Sequence, residues 1–156
     1  MRLFRTFCFL LSVASAAQAQ QAQPPLPHST VVIDTPRGAV RLDVELASDD
    51  ASRMRGLMFR TKLAPNAGML FDFHDEHFRS FWMKNTILPL DMLFIRGDGT
   101  ISSIAANTTP YSEKNVNSRE PVRAVLEINA GRSVALGLAP GEKAHNAVFG
   151  DALPRQ

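Results

Sequence analysis

The chain has 156 residues, with 17 Lys and Arg, 15 Asp and Glu, and a single Cys, Cys8. Arg2 and Arg5 lie in an N-terminal targeting segment; without them the basic and acidic counts are equal, so the basic pI near 9.0 lends no support to nucleic-acid or anionic-membrane binding. Removal of that segment also removes Cys8, which leaves no disulfide, no thiol nucleophile and no thiol metal ligand.

The targeting segment has three parts. Arg2 and Arg5 form a basic n-region, residues 7–14 form an apolar h-region too short to span a bilayer, and Ala17-Gln-Ala19 is a small-residue cleavage signal. Residues 1–19 are therefore expected to be a signal peptide, with the mature chain starting at Gln20. Cys8 lies inside the h-region and not directly after the cut, which argues against lipidation. The expected location is periplasmic or secreted, with no stable membrane insertion after cleavage. Residues 20–29 are rich in Gln and Pro, with Pro24, Pro25 and Pro27, and are expected to be a disordered lead-in. Residues 30–152 are long enough for one domain with a core of its own.

Residues 30–34 are a β-branched run, and Thr35-Pro36-Arg37-Gly38 is turn chemistry. Val40, Leu42, Val44 and Leu46 then alternate with Arg41, Asp43 and Glu45, the pattern of a half-buried strand, so the two runs predict a hairpin. Ser48-Asp49-Asp50 is an N-cap cluster, and Met54, Leu57 and Met58 at i, i+3, i+4 predict a helix over residues 49–58. Gly56 inside it costs helix stability and points to close packing against a strand. Residues 69–73 predict a strand, residues 74–77 a polar connection, residues 78–86 another strand, broken by Pro89, and residues 90–96 a strand apolar on both faces apart from Asp91. Gly97-Asp98-Gly99 turns the chain into a strand at 100–105. Residues 107–119 form a long polar loop, 122–129 a strand containing Glu127, 131–138 a short helix, and 143–149 a final strand. About eight short strands and two short helices, without βαβ alternation, predict a mainly β fold: a compact antiparallel β-sandwich or small barrel with two short helices, the alternative being α+β.

Three groups of residues together resemble one family. Glu45-Leu-Ala, Arg55-Gly-Leu-Met-Phe-Arg60 and Gly68-Met-Leu-Phe-Asp-Phe73 are similar to its first half. Phe81-Trp-Met-Lys-Asn-Thr86 with Pro89-Leu-Asp91 is similar to its signature, and Val125-Leu-Glu127, Ala130-Gly131 and Leu138-Ala-Pro-Gly141 to its end. The family is domain of unknown function 192 (DUF192), small bacterial and archaeal proteins, many of them exported. The resemblance covers nearly all of residues 40–149, departing slightly at Gly141-Glu142, where the family usually has Gly-Asp. It implies a compact mainly β domain and no established activity.

The signature holds the only Trp, Trp82, and interleaves apolar groups with Lys84, Asn85, Thr86 and Asp91. As a strand, it would put Phe81, Met83 and Asn85 on one face and Trp82, Lys84 and Thr86 on the other. In the bland reading Trp82 caps the core, Lys84 snorkels, and Asn85 and Thr86 satisfy the strand end. In the functional reading Trp82 walls a shallow polar pocket with Arg60 and Lys84 as cations and Asn85, Thr86, Asp91 and Glu127 as orienting groups. Asp91 and Glu127 are acids in apolar strands, and a buried carboxylate needs a partner; Lys84, Arg60 and Arg55 are the candidates. Arg60 is the arginine expected to turn inward toward a carboxylate.

Other motifs carry less. His74-Asp75-Glu76-His77 lacks further ligands for a metal, and no metal or cofactor is expected. Gly131-Arg-Ser133-Val-Ala135 lacks the final Gly of a nucleophile elbow, in a chain too short for that fold. Arg96-Gly97-Asp98 is turn chemistry. The expected function is thus a non-enzymatic exported domain that binds a small polar ligand or an envelope partner near residues 82–91. The alternatives are a small hydrolase or lyase using Lys84 and Asp91, and a structural or assembly factor.

Overall fold

The structure is a computed structural model that describes residues 21–151; the expected signal peptide and its cleavage site lie outside the described residues. These residues form nine strands: β1 His28–Thr35, β2 Gly38–Ala47, β3 Ala67–His77, β4 Ser80–Phe81, β5 Leu90–Ile95, β6 Ile101–Ala105, β7 Val116–Asn117, β8 Val122–Asn129 and β9 Ala144–His145. The two helices are α1 Asp50–Arg55 and α2 Arg132–Leu136. The fold is mainly β, as the spacing of short strands and turns predicts.

β1 and β2 make the predicted hairpin, with Val31 opposite Leu42 and Ile33 opposite Val40. A capping box starts α1: the Asp49 carboxylate accepts from Ser52 N, and Ser52 Oγ accepts from Asp49 N. Gly56 ends the helix at φ 49°, and a Cβ there would sit 3.1 Å from the Phe71 ring, so the close packing read from this glycine is a contact with β3. The chain returns to pair β3 with β2 in parallel, so β2–α1–β3 is a crossover unit. The helix is shorter than the expected 49–58, at six residues, and what the sequence pattern missed is the parallel pairing of the strands it joins. The other strand pairs are antiparallel, and the main sheet has the order β6-β5-β8-β3-β2-β1-β9.

The sheet curls until its outer strands approach. Ile101 N donates to Glu142 O (2.9 Å), Gly141 N to Ile101 O (2.8 Å) and Ala144 N to Gly99 O (2.8 Å). Gly99, at φ 86°, permits this approach, since a Cβ there would lie 2.3 Å from Ala144 O. Strand alternation then divides the core in two. Val31, Ile33, Leu42, Val44, Leu70, Leu93, Leu126 and Ile128 pack on one face. Met69, Phe71, Leu90, Met92, Phe94 and Val125 pack on the other, covered by Leu57 and Met83.

Four segments differ from expectation. β3 continues through residues 74–77, predicted as a connection, although His74 takes a φ of 66°. Residues 78–86 are not one strand: only Ser80 and Phe81 pair, with Asn117 and Val116 of the long loop, and residues 82–86 turn away. The final strand is only Ala144–His145, followed by a 3-10 turn at Ala147–Phe149. In the lead-in, Gln23 Nε2 donates to Gly56 O (2.9 Å) and Leu26 packs partly buried against the second core. His28 and Ser29 already belong to β1, so composition alone misjudged the part of the lead-in that follows Gln23.

Candidate functional site

The second core is incomplete. Between α1, β3 and residues 80–86 lies a cavity of about 470 Å³. Arg53, Met54, Arg55, Leu57 and Met58 line it from α1 and the turn after it, Phe71 and Phe73 from β3, and Phe81, Trp82 and Thr86 from the signature. Phe81 organises the aromatic wall, with its ring 5.1 Å from Phe71 and 6.1 Å from Phe73, both edge to face. The two sides are tied by one backbone bond, Phe59 N to Asn85 O (2.9 Å). Both residues adopt positive φ, 62° and 55°. That conformation is unusual for a Phe and better tolerated by an Asn.

Glu127 also lines the cavity. It sits mid-strand in β8, between Met69 of β3 and Met92 of β5, and is only 4% exposed. Its carboxyl group has no hydrogen bond or ion pair to any described residue. Burial alone pushes its pKa up to about 8, so at neutral pH it is a protonated acid facing an aromatic hollow.

Asp91 is the opposite case. It is fully buried, on the next strand but the other face of the sheet, beside Ile128. Its Oδ2 accepts from Ser133 N (2.9 Å) and Ser133 Oγ (2.6 Å), and its Oδ1 from Asn107 N (2.9 Å). Burial opposes its charge, but the Ser133 hydroxyl and the backbone N–H groups of Asn107, Ser133 and Gly131 outweigh it and hold the pKa below the usual range. α2 has no side-chain cap of its own, since its N-cap is Gly131. Asp91 supplies that cap from a neighbouring strand. Ser133 is thereby committed as a donor, which removes the elbow reading.

Arg60 turns inward, toward Glu45. Its Nη1 and Nη2 bond Oε1 (2.9 Å) and Oε2 (2.8 Å) in a bidentate fork. Glu45 also accepts from Leu26 N (2.9 Å), which ties the lead-in to the hairpin. Burial raises the Glu45 pKa, but the Arg60 fork and the Leu26 N–H prevail, so the net shift is downward. Lys84 points outward, with Nζ 5.1 Å from the Trp82 ring and 3.8 Å from Glu113. Asn85 is exposed. Thr86 is buried, with its hydroxyl donating to Lys84 O (3.1 Å). Of the seven predicted residues the structure brings Trp82, Thr86 and Glu127 to the cavity. Lys84 and Asp91 have separate partners and form no pair.

Comparison with known proteins identifies the chain. The DUF192 family, described as an uncharacterized ACR, matches residues 32–145. The chain belongs to the DUF192 family. It is similar to a solved structure from Sinorhizobium meliloti 1021, described as a candidate transcription regulator, at 47% identity and TM-score 0.78, covering 81% of this chain and 98% of that one. It is also similar to a protein of unknown function from Novosphingobium aromaticivorans DSM 12444, at 37% identity and TM-score 0.75, covering 81% and 96%. No curated protein matches.

In this DUF192 domain parts of the segments that carry the family resemblance line the cavity: residues 55–58, Phe71, Phe73, Phe81, Trp82, Thr86 and Glu127. Sequence reasoning missed the aromatic wall. The i, i+2 spacing of Met69, Phe71 and Phe73, which puts three large groups on one strand face, was the available signal. It also missed Glu45 as the partner of Arg60, and Ser133 as that of Asp91. Among the described residues no group of three His, Cys, Asp or Glu side chains is placed to hold a metal ion, and no helix is long and apolar enough to cross a membrane.

Proposed function

We propose that this DUF192 protein is an exported, non-enzymatic domain that holds a small molecule in the cavity between α1, β3 and residues 80–86. The observation that carries the reading is Glu127: an acid 4% exposed, without a partner among the described residues, on the wall of a hollow with an aromatic side. Burying an unpaired carboxyl group costs stability, and a ligand that bonds to it recovers that cost. The binding groups are Trp82, Thr86 and Glu127, with Phe71, Phe73 and Phe81 as the apolar wall. Arg60 and Asp91 support the frame on which these groups sit, and Lys84 and Asn85 lie outside the cavity. Export is supported by Arg2, Arg5, the apolar run at 7–14 and Ala17-Gln-Ala19.

A partner protein that inserts one side chain into the same hollow is the second form of this reading. It is favoured by the apolar rim, where Met54 is 76% and Trp82 46% exposed. The description of the Sinorhizobium relative raises transcription regulation for this chain as well. That reading finds less support, because α1 has six residues and α2 five, each under two turns and short of a helix that reads a major groove.

Native mass spectrometry of the mature protein, purified from the periplasm without denaturation, tests the reading. The expected result is a retained small molecule, lost in Ser80→Phe, which fills the cavity from an exposed position. A protein that carries nothing from its own compartment, and whose Trp82 emission responds to no periplasmic extract, would contradict it.

A further inference from the structure

We infer that the cavity receives a primary alkylammonium group, which docks on Glu127 with its alkyl chain against Phe71, Phe73 and Phe81. This rests on the cavity reading above and names the chemistry of its occupant. Three observations support it. First, among the described residues Glu127 is the one acid that lines the hollow from the sheet; its strand neighbours, Met69 and Met92, bring no donor. A carboxyl group there ionises only when a hydrogen-bond donor and a positive charge reach it, and an ammonium group supplies both. Second, the walls are aromatic, and aromatic faces attract cations. The same protein already shows this preference on its surface, where the Lys84 ammonium sits over Trp82. Third, the remaining charged groups on the cavity, Asp50, Arg53 and Arg55, all belong to α1. Arg53 is held there by Asp50 Oδ1 (2.5 Å), Ser48 O (2.7 Å) and Asp72 O (2.7 Å). Burial is the single cause of the Glu127 shift, so among the described residues no cation takes the place beside it.

The consequence is a proton exchange. The neutral carboxyl group of the free protein gives up its proton to solvent as the ammonium arrives, and the bound state is a carboxylate–ammonium pair. Between pH 6 and 7 apparent affinity therefore rises about tenfold per pH unit and levels off above the pKa of Glu127. Small amines and a lysine side chain of another protein share this chemistry.

Calorimetric titration of the mature protein with n-butylammonium, n-pentanol and Nα-acetyl-lysine amide, in two buffers of different ionisation enthalpy, tests the inference. The expected result is binding of n-butylammonium with release of close to one proton at pH 7, a quenched or shifted Trp82 emission, and at least about a tenfold loss in Glu127→Gln. Ser80→Phe, which leaves Glu127 intact, should also block binding. Tighter binding of Nα-acetyl-lysine amide supports the ammonium site and assigns it to a protein side chain; tighter binding of n-butylammonium supports it and assigns it to a free amine. Equal binding of n-pentanol without proton release overturns the ammonium assignment and leaves the cavity reading standing. Binding of none of the three also overturns it, and the cavity reading then depends on the native-mass result alone.

Discussion

Two buried acids, Asp91 and Glu127, occupy adjacent strands of one sheet and have opposite fates. Asp91 faces the core shared with α2 and is met by Ser133 Oγ and backbone N–H groups, so it keeps its charge and acts as the cap that α2 lacks. Glu127 faces the aromatic hollow and is met by no donor among the described residues, so burial takes its charge. Burial is common to both; the supply of donors decides which acid is structural and which is available to a ligand. An unusual residue in an apolar strand is therefore only a question, and the donors that the fold brings to its face hold the answer.

The comparison can be broken or sharpened by substitution. Asp91→Ala should have the largest effect. It strands the Ser133 hydroxyl and N–H in the core and removes the acceptor of the Asn107 N–H at its edge, at a cost of about 4 kcal/mol, measurable as a fall in urea midpoint with an unchanged m-value. A loss below about 1 kcal/mol would mean that α2 does not depend on this cap.

Glu127→Gln should act in the opposite direction. The unfolded chain ionises this group near its ordinary pKa of 4.5 and the folded chain near 8, so within that window the folded state holds the extra proton. Wild-type stability from this group is complete below pH 4.5, falls as pH rises, and levels off above pH 8. The variant lacks this decline, so its advantage over wild type should grow with pH, to roughly 3 kcal/mol near neutrality. Parallel urea series at pH 5 and 7 measure the divergence, and two lines that stay parallel would show that Glu127 is not protonated in the fold. Asp91 has the reverse sign: its contribution is present above its unfolded pKa and is lost as acid titrates through the lower folded value.

Ser133→Ala should cost about 2 kcal/mol, since it removes the shortest of the Asp91 bonds but leaves both backbone donors. A normal Asp91→Asn protein alongside a damaged Ser133→Ala would reverse the order of importance. Lys84→Ala should be the smallest change, within about 0.5 kcal/mol by thermal melting, because its contacts with Glu113 and Trp82 are at the surface.

Much of the frame was legible in the residues. The alternation of Val40 to Leu46 and the turns at residues 35–38 and 97–99 located hairpins, and Gly56 announced a close contact. Glu127 and Asp91 were legible as anomalies, but their partners were not, because Ser133 lies 42 residues from Asp91 and only the fold brings them together. Residues 81–86 misled because a run of large apolar groups, Phe81, Trp82 and Met83, ahead of the break at Pro89 imitates a strand. In the structure Met83 and Thr86 are the buried pair, the i, i+3 spacing of a turn, with Thr86 N bonded to Met83 O (3.1 Å) and Asn85 at positive φ. Glu45 resembled a solvent-facing residue of an alternating strand. It is instead held by Arg60, which follows the helix of a crossover whose parallel strand pairing the alternation did not reveal.

The most direct test of the account is the protonation of Glu127 itself, read by carbon-13 NMR of its side-chain carboxyl carbon across a pH titration. The account predicts a neutral Glu127 at pH 7 in the free mature protein, titrating near 8, and an ionised one at the same pH when n-butylammonium is saturating. A Glu127 already ionised at pH 6 in the free protein would contradict it, because the acid would then have a partner within the fold and no vacancy for a ligand.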